Sequence, residues 1–402
     1  MMQRGKVIDI EDDDEDDDED KELKKLEKEK EKLEELLKKT KDAIHERKKM
    51  KMNDNPYLTK QENEYFKNIN NEIKRFVFIC GGIGNDDKYL TTSFIYDNKN
   101  YNIMDGPKMS ERSEHVCVTL SDGSIFICGG RNSRGGLKEC EIIKILSGGG
   151  NKIEKVGMNI ERCHLAAVLL LDGRVFICGG GNYQKDGNLF ISTNTCEIYD
   201  PKTNIFTPCA SMIYKRHGHT ASLLPNGKVY ICGGIDFDVD DDDKHCNLCE
   251  LYDPNNNTFR AEITRMKKPR RFHTATTLLN GDIFICGGGV NKKIIDEDRK
   301  IVKRFEIDAS TEIYDSNSDR FDFGPDFPIR EIEQGDFMIK IGGPRYKHFS
   351  SILNDGKVLI GGGIDKNNIE DTKMEIFDPK SKTFEEIFEI STRINGSSSS
   401  FY

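Results

Sequence analysis

The residues best equipped for chemistry in this 402-residue chain stand close together, in DFDVDDDDKHCNLC (Asp236–Cys249). His245, Cys246 and Cys249 have the look of half a zinc site. A closed structural zinc site takes four ligands, and no second Cys-x-x-Cys completes this one. Cys249 also aligns with Cys140 and Cys196, each one residue before a recurring glutamate, so it is a repeat residue. The acidic run Asp236–Asp243 invites calcium but lacks the central glycine and closing glutamate of an EF-hand loop. It reads as a solvated charge run. Histidines recur at His115, His164, His219, His273 and His348, each opening an apolar segment. A histidine repeated at strand starts is expected to be a structural hydrogen-bonder. No metal and no cofactor are expected.

What must position such residues is a repeat. FICGG occurs at Phe78–Gly82, Phe126–Gly130, Phe176–Gly180 and Phe284–Gly288, with YICGG at Tyr230–Gly234 and LIGGG at Leu359–Gly363. The glycine pairs begin at 81, 129, 179, 233, 287 and 362. Between a histidine and each pair lies a turn of the SDG or PNG type, suited to short hairpins. After each pair comes a strand such as EIYDPKTNIF (Glu197–Phe206), ELYDPNNNTF (Glu250–Phe259), EIYDSNSDRF (Glu312–Phe321) or EIFDPKSKTF (Glu375–Phe384). The second unit is degenerate, with Ile143 and Lys144 at the Tyr-Asp position. A period of about 50 residues marks a propeller blade of four strands.

These residues resemble the kelch-repeat family over about four-fifths of the chain. The resemblance implies an all-β fold, a six-bladed kelch-type β-propeller over 75–402. Phenylalanines 206, 259, 321 and 384 stand where the family's strand-four tryptophan is usual, and a smaller ring still buries an apolar face. The first unit lacks a first strand. RINGSSSSFY (Arg393–Tyr402) laid over RHGHTASLL, with Ser397 on Thr220, is expected to supply it and close the ring. MIKIGG, ending at Gly343, tempts a seventh count, but a first strand follows it. Extra residues are therefore assigned to two loops of the fifth unit, around 290–309 and 327–343.

Ahead of the propeller, residues 1–20 form an acidic tail expected to be disordered, because Glu11–Asp20 is ten consecutive acids. The remaining acidic residues match the 60 Lys and Arg, so no global basic field draws the chain to nucleic acid. Residues 21–51 read as a charged helix, either solvated or a weak coiled coil mediating weak self-association, and 52–74 as a linker. Neither an apolar signal core nor an 18-residue apolar run occurs, which points to a reduced, cytoplasmic protein with no membrane contact. Seventy-five polar residues are too few for a BTB domain and show no F-box pattern, so ligase recruitment is not expected.

Kelch domains are mostly binding modules. Iron ligands of the plant specifier type do not carry over, since Phe237 stands at the Glu position before Asp241 and His245. Nor can the ligand set and Tyr–Cys crosslink of the copper oxidases be assigned. The expected function is non-catalytic protein recognition, as a scaffold. In a four-stranded blade the two–three and four–one connections share one face. Here that face carries Arg112, Arg162, Arg216, Arg270, Arg271 and Arg345, with Lys267, Lys268 and Lys347 beside them. It resembles the face on which several kelch domains bind acidic peptide segments, and a planar guanidinium suits a carboxylate. Two alternatives stay open: these arginines cap the blades, or the chain is an enzyme acting on a small sugar-like ligand in the channel. The Glu11–Asp20 tract is itself a candidate occupant of this face or of a second copy's.

Overall fold

The computed structural model describes residues 76–401 apart from 85–86, 99, 101, 146–149, 185–188, 237–246, 262–263, 296–300, 329, 335–336, 342–344, 366–372 and 390–397. The acidic tail, charged helix and linker assigned to 1–74, and the Asp241–His245–Cys246 group, lie outside the described residues.

Six four-stranded antiparallel sheets make a six-bladed β-propeller. Blade four shows the plan: Thr220–Leu223 innermost, then Val229–Cys232, Cys249–Asp253 and Thr258–Ala261. The innermost strands of the six blades touch in sequence and the last touches the first, enclosing a central channel. Among the described residues no helix is long and apolar enough to cross a membrane.

Blade one takes its innermost strand from the other end of the chain. Ser398–Phe401 pairs antiparallel with Phe76–Cys80, with Ser398 opposite Cys80. Thr220 is opposite the equivalent Cys232, so it is Ser398, not Ser397, that holds the threonine position. A run of four serines has no alternation of apolar and polar residues to fix register, which is why the sequence overlay is off by one. Deleting residues 391–402 strips this strand and leaves Phe76–Cys80 an open edge. A loss of several kcal/mol is expected, seen as a melting temperature lower by roughly 5 °C or more; an unchanged transition would mean the strand contributes nothing to closure.

The core lies between blades. At four of the six junctions the aromatic of strand two stacks on the aromatic of the next blade's strand three: Phe126 on Tyr199 at 4.7 Å, Phe176 on Tyr252 at 4.3 Å, Tyr230 on Tyr314 at 4.4 Å and Phe284 on Phe377 at 4.0 Å. The strand-four phenylalanines close over the same rings, Phe206 on Tyr199 at 4.7 Å and Phe259 on Tyr252 at 4.8 Å. In degenerate blade two, buried Ile143 packs with Phe78 in place of a ring. The five repeat cysteines are buried to 1% exposure or less, small fillers of this layer.

Each glycine pair is a joint between blades. In blade four Gly233 takes a left-handed φ of 69°, and a Cβ there would lie 2.5 Å from the Arg270 carbonyl of the next blade. Only glycine permits both. Gly234 then donates its N–H to that carbonyl at 3.1 Å, as Gly82, Gly130, Gly180 and Gly288 do to Arg112, Arg162, Arg216 and Arg345. Beyond the pairs the two–three connections fold into hairpins, Gly181–Tyr183 with Phe190–Ser192 and Gly289–Ile295 with Ile301–Ile307. The second extra segment of unit five is a hairpin too, Arg330–Gln334 with Phe337–Ile341, outside any blade.

Candidate functional site

The structure places five of the six candidate arginines inside the blades. Arg112, Arg162, Arg270 and Arg345 are fully buried and Arg216 is nearly so. Each reaches over its own blade. Arg270 donates from one terminal nitrogen to the carbonyls of Gly287 (2.9 Å) and Ser310 (3.0 Å), and from the other to the Glu312 carboxylate at 2.8 Å. Arg162 does the same to Gly179, Thr195 and Glu197, and Arg216 to Gly233, Leu248 and Glu250. Arg345 pairs with Glu375 at 3.1 Å, and Arg112 lies 3.5 Å from both Glu139 and Glu141. The glutamate is the one that opens the strand-three motif. Its carboxylate also accepts backbone N–H groups from the incoming connection, as Glu312 does from Lys267 at 2.7 Å and Lys268 at 3.0 Å. A guanidinium so enclosed fastens the connection to the blade and presents no surface to a partner.

What faces the channel mouth is the residue two places after each of these arginines. Glu114, His164, Gly218, Phe272 and Lys347 all adopt left-handed φ, between 53° and 64°. Their backbones join in a chain around the axis: His164 N–H to Glu114 O (2.9 Å), Gly218 to His164 (3.0 Å), Phe272 to Gly218 (2.7 Å) and Lys347 to Phe272 (3.1 Å). Left-handed φ costs a non-glycine residue about 1–2 kcal/mol, and this hydrogen-bonded rim is what sustains it four times over. His164 therefore belongs to the rim and not to the histidine column. The other column histidines follow their arginine by three residues, and in blade three that position is Leu165. The true column is His115, His219, His273 and His348, wedged between blades: Thr220 Oγ1 lies 3.0 Å from His273 Nε2, and Cys286 Sγ 3.5 Å from His348 Nε2.

Above the rim opens a basin of about 280 Å³ lined by His164, Tyr183, Phe190, His217, Arg271, Phe272, Phe305, Tyr346 and Lys347. Arg271, the sixth candidate, is also only 5% exposed but lines the basin, and its guanidinium carbon lies 5.3 Å from the Phe272 ring centre and 5.2 Å from that of Phe305. Lys347 Nζ is 5.5 Å from the Phe272 ring and 3.0 Å from Glu114 Oε1. Phe305 packs on Tyr346 at 4.8 Å and Phe190 on His217 at 4.6 Å. Burial, with the neighbouring His164 and Arg271 charges added, drives the His217 pKa well below its usual value. Burial also lowers that of His164 against the pull of Glu114. Burial alone would raise the Glu114 carboxyl, but His164 and Lys347 outweigh it and hold it well below the usual carboxylate range. The basin thus offers neutral and aromatic walls with two fixed cations.

A second cavity of about 120 Å³ continues down the channel between His115, His219, His273 and His348. Glu114 is the one carboxylate among the residues lining either cavity. Acid–base hydrolysis of a sugar bond ordinarily takes two, and the lining residues assemble no such pair.

Of the basin residues, sequence reasoning singled out Arg271, Lys347 and, for another role, His164. Tyr183, Phe190 and Phe305 escaped it because they sit on connections that differ in length and sequence from blade to blade, beyond the like glycine pairs.

A family model described as the KLHDC2/KLHL20/DRC7 Kelch-repeats domain matches residues 69–289. Kelch-like protein 36 of Mus musculus is 29% identical over 246 residues, covering 57% of this chain and 34% of that protein. The Rattus norvegicus protein of the same name is 28% identical over 246 residues, with the same coverage. The chain spans about a third of the length of the curated relatives it matches.

Proposed function

The chain belongs to the kelch-repeat family, and from that premise we propose that its propeller is a protein-interaction module that takes an acidic segment of a partner at the channel mouth. The observation that carries this is the basin in which Arg271 and Lys347 are set against aromatic rings. Rings beneath a cation hold it in place and partly dry, so its charge acts at higher strength on an incoming carboxylate. The flanking Phe305, Tyr346 and Tyr183 suit an apolar or aromatic residue next to that carboxylate. The buried arginines keep a different role: they hold the connections from which the rim projects.

The test is selection of random peptides on the propeller, followed by titration of the enriched sequence against wild type and Phe305→Ala. Phe305 lies on a hairpin outside the blade sheets, so its truncation spares the fold. Enrichment of Asp or Glu beside an aromatic or aliphatic residue is expected, with affinity at least tenfold weaker in the variant. Enrichment of basic peptides, or equal binding by the variant, contradicts the proposal.

A further inference from the structure

The channel mouth carries one group of side chains that peptide recognition does not use. Glu114, Cys163 and His164 bring a carboxylate oxygen, a thiol sulfur and an imidazole nitrogen within 4.8 Å of one another. Two adjacent blades supply them, and their backbones are already tied. His164 N–H bonds to Glu114 O at 2.9 Å, while Cys163 exchanges backbone hydrogen bonds with Gly181 at 2.8 and 3.0 Å. The Glu114 side chain is only 5% exposed, with Lys347 on Oε1 at 3.0 Å. Its other oxygen, Oε2, is buried and lies 3.0 Å from His164 Nε2. That separation is close to the spacing of two ligands of one ion.

We propose that Glu114 Oε2, Cys163 Sγ and His164 Nε2 form a binding site for zinc or a similar borderline divalent cation at the rim of the channel. At the usual Zn–N, Zn–O and Zn–S lengths, tetrahedral ligands stand about 3.3–3.6 Å apart, so side-chain movements of about 1 Å complete the shell. The nitrogen and sulfur donors select against magnesium and calcium, which take oxygen ligands. A carboxylate and a thiolate balance the ion's two charges, the thiol proton leaving to solvent, while Lys347 stays on Oε1 and orients the carboxylate from behind. Three protein ligands leave a fourth position for water, open to the cavity that His164 lines. No spacing motif could announce this site, because Glu114 belongs to the blade before that of Cys163 and His164 and lies 49 and 50 residues ahead of them in the chain.

The experiment is titration of the full chain with Co²⁺ alone, followed by competition with Zn²⁺. One equivalent of Co²⁺ is expected to produce thiolate-to-metal charge-transfer absorption and the intense visible bands of tetrahedral cobalt, both abolished by Zn²⁺. Cys163→Ser is expected to remove the charge-transfer band. His164→Asn is the second variant, because asparagine tolerates left-handed backbone and keeps the rim intact; it is expected to weaken binding at least tenfold with unchanged thermal unfolding. Absence of the band in wild type overturns the proposal. So does a band that persists in Cys163→Ser, which would place another thiolate on the ion, and so does wild-type affinity in His164→Asn.

Discussion

Replacing Glu250 by glutamine is expected to cost about 3–5 kcal/mol of folding stability, read as a lower denaturation midpoint in urea. Glu250 is fully buried and accepts from Arg216 at 2.7 Å, from Ile213 N–H at 2.7 Å and from Tyr214 N–H at 3.3 Å. Glutamine keeps the shape but removes the charge, leaving a buried guanidinium uncompensated, and that accounts for the magnitude. The contrast is Lys152 with Glu154, a pair at 2.7 Å on the surface, where Glu154→Gln should leave the midpoint unchanged. A loss below about 1 kcal/mol at Glu250 would mean that the carbonyls of Gly233 and Leu248 hold Arg216 without its carboxylate.

Acidification is the second large effect. Burial, aided by Arg216 and Arg345 respectively, holds His219 and His348 down to about 3, and burial with Arg270 holds His273 well below its usual value. All three are neutral when folded, whereas in the unfolded chain each takes up a proton near pH 6.5. The unfolded state therefore binds more protons as pH falls, so the stability they contribute is full above about pH 6.5 and is lost below it. Three such groups give a slope approaching 4 kcal/mol per pH unit, and His164 and His217 add in the same direction. Unfolding free energies measured between pH 6.5 and 5, above the carboxylate range, should show this slope. His219→Leu, which copies Leu165 of blade three, should make it shallower by about a third of the three-histidine slope. A flat profile over that interval would show that these histidines are protonated in the folded protein.

The blades were legible because one physical demand recurs six times. A glycine pair is needed wherever a neighbouring carbonyl comes within 2.4–2.7 Å of a Cβ position, and a pair of flat rings recurs at four of the six junctions between sheets. The burial of the arginines was not legible, since a charged residue in a loop before a strand looks exposed. Its partner, the glutamate of EIYD, stands 34 residues on from Arg216 and 42 from Arg270. The joint recurrence of the two columns, an arginine and a glutamate in each of blades two to six, was the available signal. The rim gave none. Glu, His, Gly, Phe and Lys share a backbone conformation and a position but no side-chain chemistry, so nothing in residue type marks them as neighbours. His164 reads as a column histidine for the same reason, standing one residue from the column it imitates.

Columns of like residues hold the propeller together, and the proposed function rests its specificity on the unlike residues at the mouth. The most direct test is the affinity of an acidic, aromatic-containing peptide for wild type, Phe305→Ala and the surface variant Glu154→Gln, with unfolding curves measured on all three. Wild-type stability is predicted in both variants, with at least tenfold weaker binding in Phe305→Ala alone. Equal affinity in all three would place recognition elsewhere on the propeller and contradict this division.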